Sequence, residues 1–166
     1  MEIGTLLIDE QFLPAAASLI SNARKSICIT TFKAELTSRP RGRVLFKLFE
    51  QVFEKSRSGV DVRFILNRVQ KRGAVPISNL YAILEISKHG VKLRCLRDGR
   101  VCHAKILIVD DAAAIVGSHN LSVKSCRNNF EISYEIRDRD IVELLQKVFD
   151  RVWDNAEVIS DGNVRV

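Results

Sequence analysis

The 166-residue chain carries 46% hydrophobic and 28% charged residues, which excludes a disordered or fibrous protein and gives enough apolar side chains for a core without staples. Its 26 Lys/Arg against 20 Asp/Glu leave a net charge of +6, favouring acidic partners. The opening MEIGTLLIDEQF is acidic and does not read as a secretion signal, and no apolar run approaches the roughly 20 residues that cross a bilayer, so a cytoplasmic chain without stable membrane insertion is expected.

In chain order, Glu10 to Ala23 has apolar residues at helical spacing (Phe12, Leu13, Ala16, Leu19, Ile20), and Ser26 to Phe32, rich in Ile and Thr, reads as a buried strand. Pro40 and Gly42 precede a helix over Arg43 to Arg57, with Val44, Leu45, Leu48, Val52 and Phe53 assigned to one face. Ser58 and Gly59 stop it before a strand from Val60 to Leu66, and Asn67 to Pro76 reads as a loop. A helix over Ile77 to Lys88 closes at His89-Gly90, where a histidine suits the negative end of the helix dipole. A strand from Val91 to Leu96 and a turn over Arg97 to Gly99 follow. Next come the apolar runs on either side of Asp110 and Asp111, a loop from Ser118 to Asn128, a strand from Asn129 to Ile136 and a helix from Arg139 to Trp153. This alternation predicts one α/β domain over residues 1–166, a mixed β-sheet flanked by helices. Cys28, Cys95, Cys102 and Cys126 lack paired spacing and read as reduced, buried thiols. Cys102, His103 and His119 lack metal-ligand spacing too, so neither a metal nor a cofactor is expected.

Between Cys102 and Asn120 the chain reads CHAKILIVDDAAAIVGSHN. His103, Lys105 and Asp110 form H-x-K-x-x-x-x-D, and Gly117, Ser118 and Asn120 form G-S-x-N after six intervening residues. On a strand, His103 and Lys105 project to the same side while Ala104, Ile106 and Ile108 fill the other. A turn would return Ser118 and Asn120 beside them. An imidazole, an ammonium, a hydroxyl and an amide converging on one point make a receptor for phosphate.

At these residues the sequence resembles the phospholipase D superfamily. The order of its elements, the segment G-V-D-V-R-F-I-L, the acidic residue of N-N-F-E and the aromatic-bearing last helix resemble the small bacterial nuclease branch. The resemblance implies the family fold and a candidate catalytic set of His103, Lys105, Asp110, Ser118, Asn120 and Glu131. Glu131 is expected to hold the imidazole nitrogen opposite the attacking one. Asp110 lies on the opposite strand face from His103, which suits scaffold hydrogen bonding better than proton transfer. His119 occupies the variable position of G-S-x-N and is expected to point away from the pocket or to its rim, and Asp111 reads as a turn residue. Thr30 and Thr31 are left open as substrate contacts.

Double displacement at a phosphodiester needs a nucleophile and an acid, and histidine, titrating near neutrality, suits both. With one motif per chain, the resemblance implies a homodimer in which two His103 rings face each other. One would form a phosphohistidine and the other would protonate the leaving alkoxide, with no metal required.

The substrate reading rests on charge. Sixteen Lys/Arg against six Asp/Glu lie between Lys33 and Arg100, with clusters at Arg39, Arg41 and Arg43 and at Arg68, Lys71 and Arg72. These six are the candidate substrate-binding residues, because such fields bind nucleic-acid phosphates with little sequence preference. An endonuclease of low sequence specificity acting on nucleic acid, DNA more than RNA, is the first expectation. The alternatives are a phospholipid hydrolase or phosphatidyl transferase, and a nucleic-acid-binding domain of a larger DNA-processing system.

Overall fold

The apolar run Ser26–Thr31 forms β2, which turns Ile27 and Ile29 to one side of a sheet and Cys28 to the other. Burial on both sides places this strand in the middle. The computed structural model describes residues 4–37, 40–67, 77–97 and 100–159, leaving aside the side chain of Arg41. The strands are β1 (Gly4–Ile8), β2, β3 (Asp61–Leu66), β4 (Lys92–Cys95), β5 (Ile106–Val109), β6 (Ala113–Gly117), β7 (Ile132–Ile136) and β8 (Glu157–Val158). They join in one sheet in the order β1-β7-β6-β5-β2-β3-β4-β8. Strands β2, β3 and β4 run parallel and every other pairing is antiparallel, so the mixed α/β sheet expected above is the observed one.

Helices α1 (Phe12–Asn22), α2 (Arg43–Arg57) and α3 (Ser78–Ile86) cover the face bearing Ile27, Ile29, Phe64 and Leu107. Helix α5 (Arg139–Asp154) covers the face bearing Cys28, Ile65 and Ile108 through Val142, Phe149 and Trp153. In α2 the buried stripe is Leu45, Leu48, Phe49, Val52 and Phe53, while Val44, expected on that face, is exposed. The helical rotation of 100° per residue brings Phe49, not Val44, into line with Leu45 and Leu48. Gly59, at φ 93, ends α2 in a backbone region that suits glycine, as Gly90 at φ 72 does after α3. Two arginines pin the end of α5. Arg63 bonds Asp150 at 2.7 Å, and Arg94 lies 4.6 Å from the centre of the Trp153 ring while donating to the Trp153 carbonyl at 2.6 Å. A charge over an aromatic face adds roughly 0.5–2 kcal/mol according to its desolvation.

Three elements were not legible in sequence: the edge strands β1 and β8, and the short helix α4 (Val123–Arg127) within the expected 118–128 loop. Most of the expected 67–76 loop and 97–99 turn lies outside the described residues. All four cysteines are buried thiols outside any disulfide. Burial pushes the Cys28 thiol to about 11 and the Cys126 thiol to about 12, so neither is a ready nucleophile.

Candidate active site

Parallel β2 and β3 end at Thr31 and Leu66, and β5, antiparallel to β2, starts beside the end of β2 with Ile106 opposite Thr30. The end of β6 and the start of β7 lie at this same end of the sheet, since Ile106 pairs with Val116 and Gly117 with Ser133. Topology thus gathers His103, Lys105, Ser118, Asn120 and Glu131 beyond the carboxyl ends of the parallel strands, where open α/β sheets bind ligands.

His103 and Lys105 precede the β5 ladder, which begins at Ile106. The alternation still holds, because Lys105 lies on the side of Leu107 beneath α1 and α2, and Ile106 and Ile108 lie on the α5 side. Ala104, expected to pack with them, is exposed, for it stands beyond the strand where neither layer reaches. Lys105 donates to the His103 carbonyl at 2.6 Å and stands 2.9 Å from His103 Nδ1. An ammonium has only donors, so Nδ1 accepts and a neutral ring in this contact carries its proton on Nε2. The Phe32 ring flanks both, with its centre 5.1 Å from that of His103 and 5.9 Å from Lys105 Nζ. Burial lowers the Lys105 pKa from its ordinary value, against the raising influence of Cys102 and Glu131.

Asn120 is oriented by its carbonyl oxygen, which accepts from Lys33 N at 3.1 Å and lies 3.3 Å from Thr31 Oγ1. Among the described residues the amide nitrogen has no partner, and it is the donor left for a ligand. The Ser118 hydroxyl donates to Glu131 and accepts from Ile132 N at 3.1 Å. Glu131 also accepts from Ser125 Oγ at 2.8 Å and Asn129 Nδ2 at 2.9 Å. Desolvation raises the Glu131 pKa, but the bonds from Ser118, Asn129 and Ser125 outweigh it and keep the carboxyl below its ordinary value. Gly117 has a steric reason: a Cβ there would come 2.4 Å from Ser133 Cα and 2.5 Å from the Ile132 carbonyl.

Glu131 and Asp110 stand differently from the expected catalytic set, Asp110 in the scaffold role that its strand face suggested. Glu131 does not hold the His103 ring within the chain; its three side-chain donors come from the 118–129 segment, and Lys105 has the ring's Nδ1. Asp110 is not in the cluster. It stands past the far end of β5, and its carboxylate accepts from the backbone N–H groups of Arg24 and Lys25 at 2.7 Å and of Ser26 at 2.9 Å. Asp110 and Asp111 are the central residues of a turn closed by Ala112 N to the Val109 carbonyl at 3.0 Å, with φ 56 and 54. Aspartate tolerates that left-handed region better than most residues do. Burial pushes the Asp110 pKa up, and the three backbone donors more than reverse it, leaving it below the ordinary value.

His119 points away from the cluster, as expected. It is 2% exposed, stacks on Phe12 with ring centres 4.5 Å apart, and bonds Ser133 Oγ at 2.7 Å and the Asp9 carbonyl at 3.0 Å. Of the basic candidates, Arg43 is exposed at the start of α2. Arg39, Arg68, Lys71, Arg72 and the side chain of Arg41 lie outside the described residues.

Sequence reasoning missed the amides that fix the approach to His103. Asn67, at the end of β3, accepts from Cys102 N at 2.7 Å and donates to the Cys102 carbonyl at 2.9 Å. Asn79, fully buried, donates to the Phe32 carbonyl at 2.9 Å and accepts from Ala34 N at 2.9 Å. The signal for Asn67 was a polar residue closing the apolar F-I-L-N, at a strand's carboxyl end. Asn79, in the first turn of a helix, carried none.

A family model described as "Cardiolipin synthase, PLD-like domain" matches residues 17–153. The chain belongs to the phospholipase D-like domain family. Among relatives, the major cardiolipin synthase ClsA of Bacillus subtilis is 31% identical over 140 residues, covering 84% of this chain and 27% of that protein. The chain thus spans about a quarter of the length of this phospholipase D-like relative. Two solved structures share the fold. The phospholipase D family member Nuc from Salmonella typhimurium superposes with a TM-score of 0.75 at 18% identity, covering 95% of this chain and 99% of that one. NucT from Helicobacter pylori gives 0.73 at 17% identity, covering 94% and 98%.

Proposed function

We propose that the chain is a phosphodiesterase, specifically a metal-independent endonuclease of low sequence specificity that works through a phosphohistidine in a site shared by two copies. The observation that carries the chemistry is the exposed His103 ring with an ammonium 2.9 Å from its nitrogen, at the sheet end where the Asn120 amide nitrogen, without a partner among the described residues, also lies. Lys105 occupies a ring lone pair until a phosphate oxygen draws the ammonium away. The freed nitrogen then attacks phosphorus, the P–O bond to the leaving alkoxide breaks, and the second copy's imidazolium protonates that alkoxide. Water, giving its proton to the same imidazole, attacks the phosphohistidine, and the P–N bond breaks to release the phosphate monoester. Lys105 and Asn120 stabilise the charge that builds on the non-bridging oxygens. Glu131 acts through Ser118, fixing the hydroxyl that anchors the start of β7. Leu6, Ile8, Ile132 and Tyr134 support the pairing of two copies: they stand exposed as cross-strand partners on one face of β1 and β7, reaching Ser118 through Ile132. The nucleic-acid reading draws on the basic surplus, on the sequence likeness to the small nuclease branch, and on the match to Nuc and NucT along nearly their whole lengths; DNA is preferred to RNA, and the chain works in the cytoplasm as one domain.

The identity to cardiolipin synthases favours a second reading, in which the same phosphohistidine forms on a lipid diester and an alcohol or water takes the phosphatidyl group. Plasmid nicking in EDTA, run beside hydrolysis of phosphatidylglycerol and cardiolipin, separates the two, with sedimentation reporting the assembly. Nicking that survives EDTA in a dimer is the expected result. Turnover of lipid alone would replace the first reading with the second, and an active monomer would remove the second histidine.

A further inference from the structure

An open groove of about 730 Å³ runs from His103 between the segment leading into β5 and the last turns of α5. That volume lies within the roughly 300–1,000 Å³ of ligand sites in general, so the charge and lining of the groove, not its size, identify the occupant. Ile106 lies in its floor, and Val101 and Val148, 46% and 38% exposed, give it apolar walls. Arg97 and Arg100 border it on one side and Arg151 on the other, all three exposed. None of the three has a carboxylate partner among the described residues. Arg63 and Arg94 on the same face of the sheet are committed to Asp61, Asp150 and Trp153. Among the described residues the groove's three cations are therefore uncompensated, and they line the same groove as the ring proposed to attack phosphorus.

We propose that this groove binds a single polynucleotide strand flanking the scissile phosphate, with neighbouring phosphates on Arg97, Arg100 and Arg151 and the bases against the aliphatic surface of Val101, Ile106 and Val148. The proposal rests on the phosphodiesterase reading and names its substrate class. A strand repeats its charge at every nucleotide, so it meets cations beyond the reacting centre. A diacyl lipid would leave those guanidinium groups facing hydrocarbon. A single strand also exposes base faces that an apolar surface rewards, whereas a duplex stacks them away.

The test measures binding by the full-length chain carrying His103→Ala, which keeps the probe uncut. The probe is a labelled oligothymidylate of about 12 nucleotides, within the site sizes of single-strand binders. The variant Arg97→Gln/Arg100→Gln/Arg151→Gln is compared with Lys88→Gln/Lys92→Gln/Lys147→Gln, which removes the same charge from exposed, ion-paired lysines elsewhere. All six side chains are at the surface, and thermal melts check that both variants fold. The groove variant is expected to lose on the order of tenfold or more in affinity, and its salt slope should fall by about 2, at roughly 0.7 per single-strand phosphate contact. The lysine variant should stay near the starting affinity. Equal weakening in both would reduce the effect to a diffuse field and overturn the proposal, as would an unchanged groove variant. Loss confined to phosphatidylglycerol vesicles overturns it in favour of an anionic lipid. Hydrolysis of bis(p-nitrophenyl) phosphate by the chain with His103 intact reports separately on the chemistry, so failure there strikes the phosphodiesterase reading and leaves the strand-binding result to stand or fall alone.

Discussion

The two ends of β5 divide the H-x-K-x-x-x-x-D signature between them. At its start, His103 and Lys105 stand beyond the carboxyl ends of the parallel strands, each with hydrogen-bonding capacity that the described protein groups do not exhaust. Past its other end, Asp110 spends its carboxylate on three backbone N–H groups of the segment joining α1 to β2. One end keeps donors and lone pairs for a visitor, and the other uses them to close the chain upon itself. A signature can therefore join a proposed reacting group and a structural clasp across a strand of four residues, and its spacing alone does not say which is which.

Substitutions at the two ends should separate rate from stability. The largest effect belongs to His103→Ala, which should lower phosphodiester turnover by at least about 10⁴-fold because the proposed nucleophile is gone. Its melting temperature should match that of the unmodified chain, since the ring is exposed; substantial turnover by the purified variant would remove His103 from the nucleophile's role. Lys105→Ala should cost about 10²–10³ in kcat, as removal of one oxyanion donor does elsewhere. In the unmodified chain, burial lowers the Lys105 pKa, so its charge is lost as pH rises through a value below the ordinary 10.5. The alkaline limb of the pH–rate profile should fall correspondingly early and vanish from the residual activity of Lys105→Ala.

Asp110→Ala should show the reverse pattern, destabilising by about 2 kcal/mol through three unanswered backbone donors while the folded fraction keeps most of its turnover. The folded-state pKa of Asp110 is lowered, so its contribution is present above the ordinary value of 3.8 and is lost as pH falls through the folded value. Denaturant titrations of the variant and the unmodified chain should therefore converge in strong acid. A large fall in kcat with unchanged stability would place Asp110 with His103 after all.

Much of the framework was open to inspection without coordinates. The buried stripe of α2 differed from expectation at a single exchange, Phe49 for Val44, and α2 ends where Gly59 suggested. Periodicity is local, and so are the forces that end a helix. The edge strands were hidden for the opposite reason. The segment GTLLI of β1 becomes a strand only because β7 offers Ser133, Tyr134 and Glu135 as partners, more than a hundred residues along the chain. The role of Glu131 was hidden for a different reason: its side-chain donors, Ser118, Ser125 and Asn129, lie in its own loop and not on the His103 ring. The basic clusters showed themselves in sequence as runs, whereas Arg97, Arg100 and Arg151 form a set only after α5 has crossed the sheet.

From the order of its amino acids alone, this chain determined its alternating elements, its central buried strand and the residues that could meet a phosphate, because hydrophobic period and motif spacing act over a few neighbours. The tertiary structure decided which of those residues meet. Strand direction sends His103 and Asp110 to opposite ends, and the Asn67 amide grips the Cys102 backbone 35 residues away. Contacts of that range depend on register and layer packing, which no local pattern encodes.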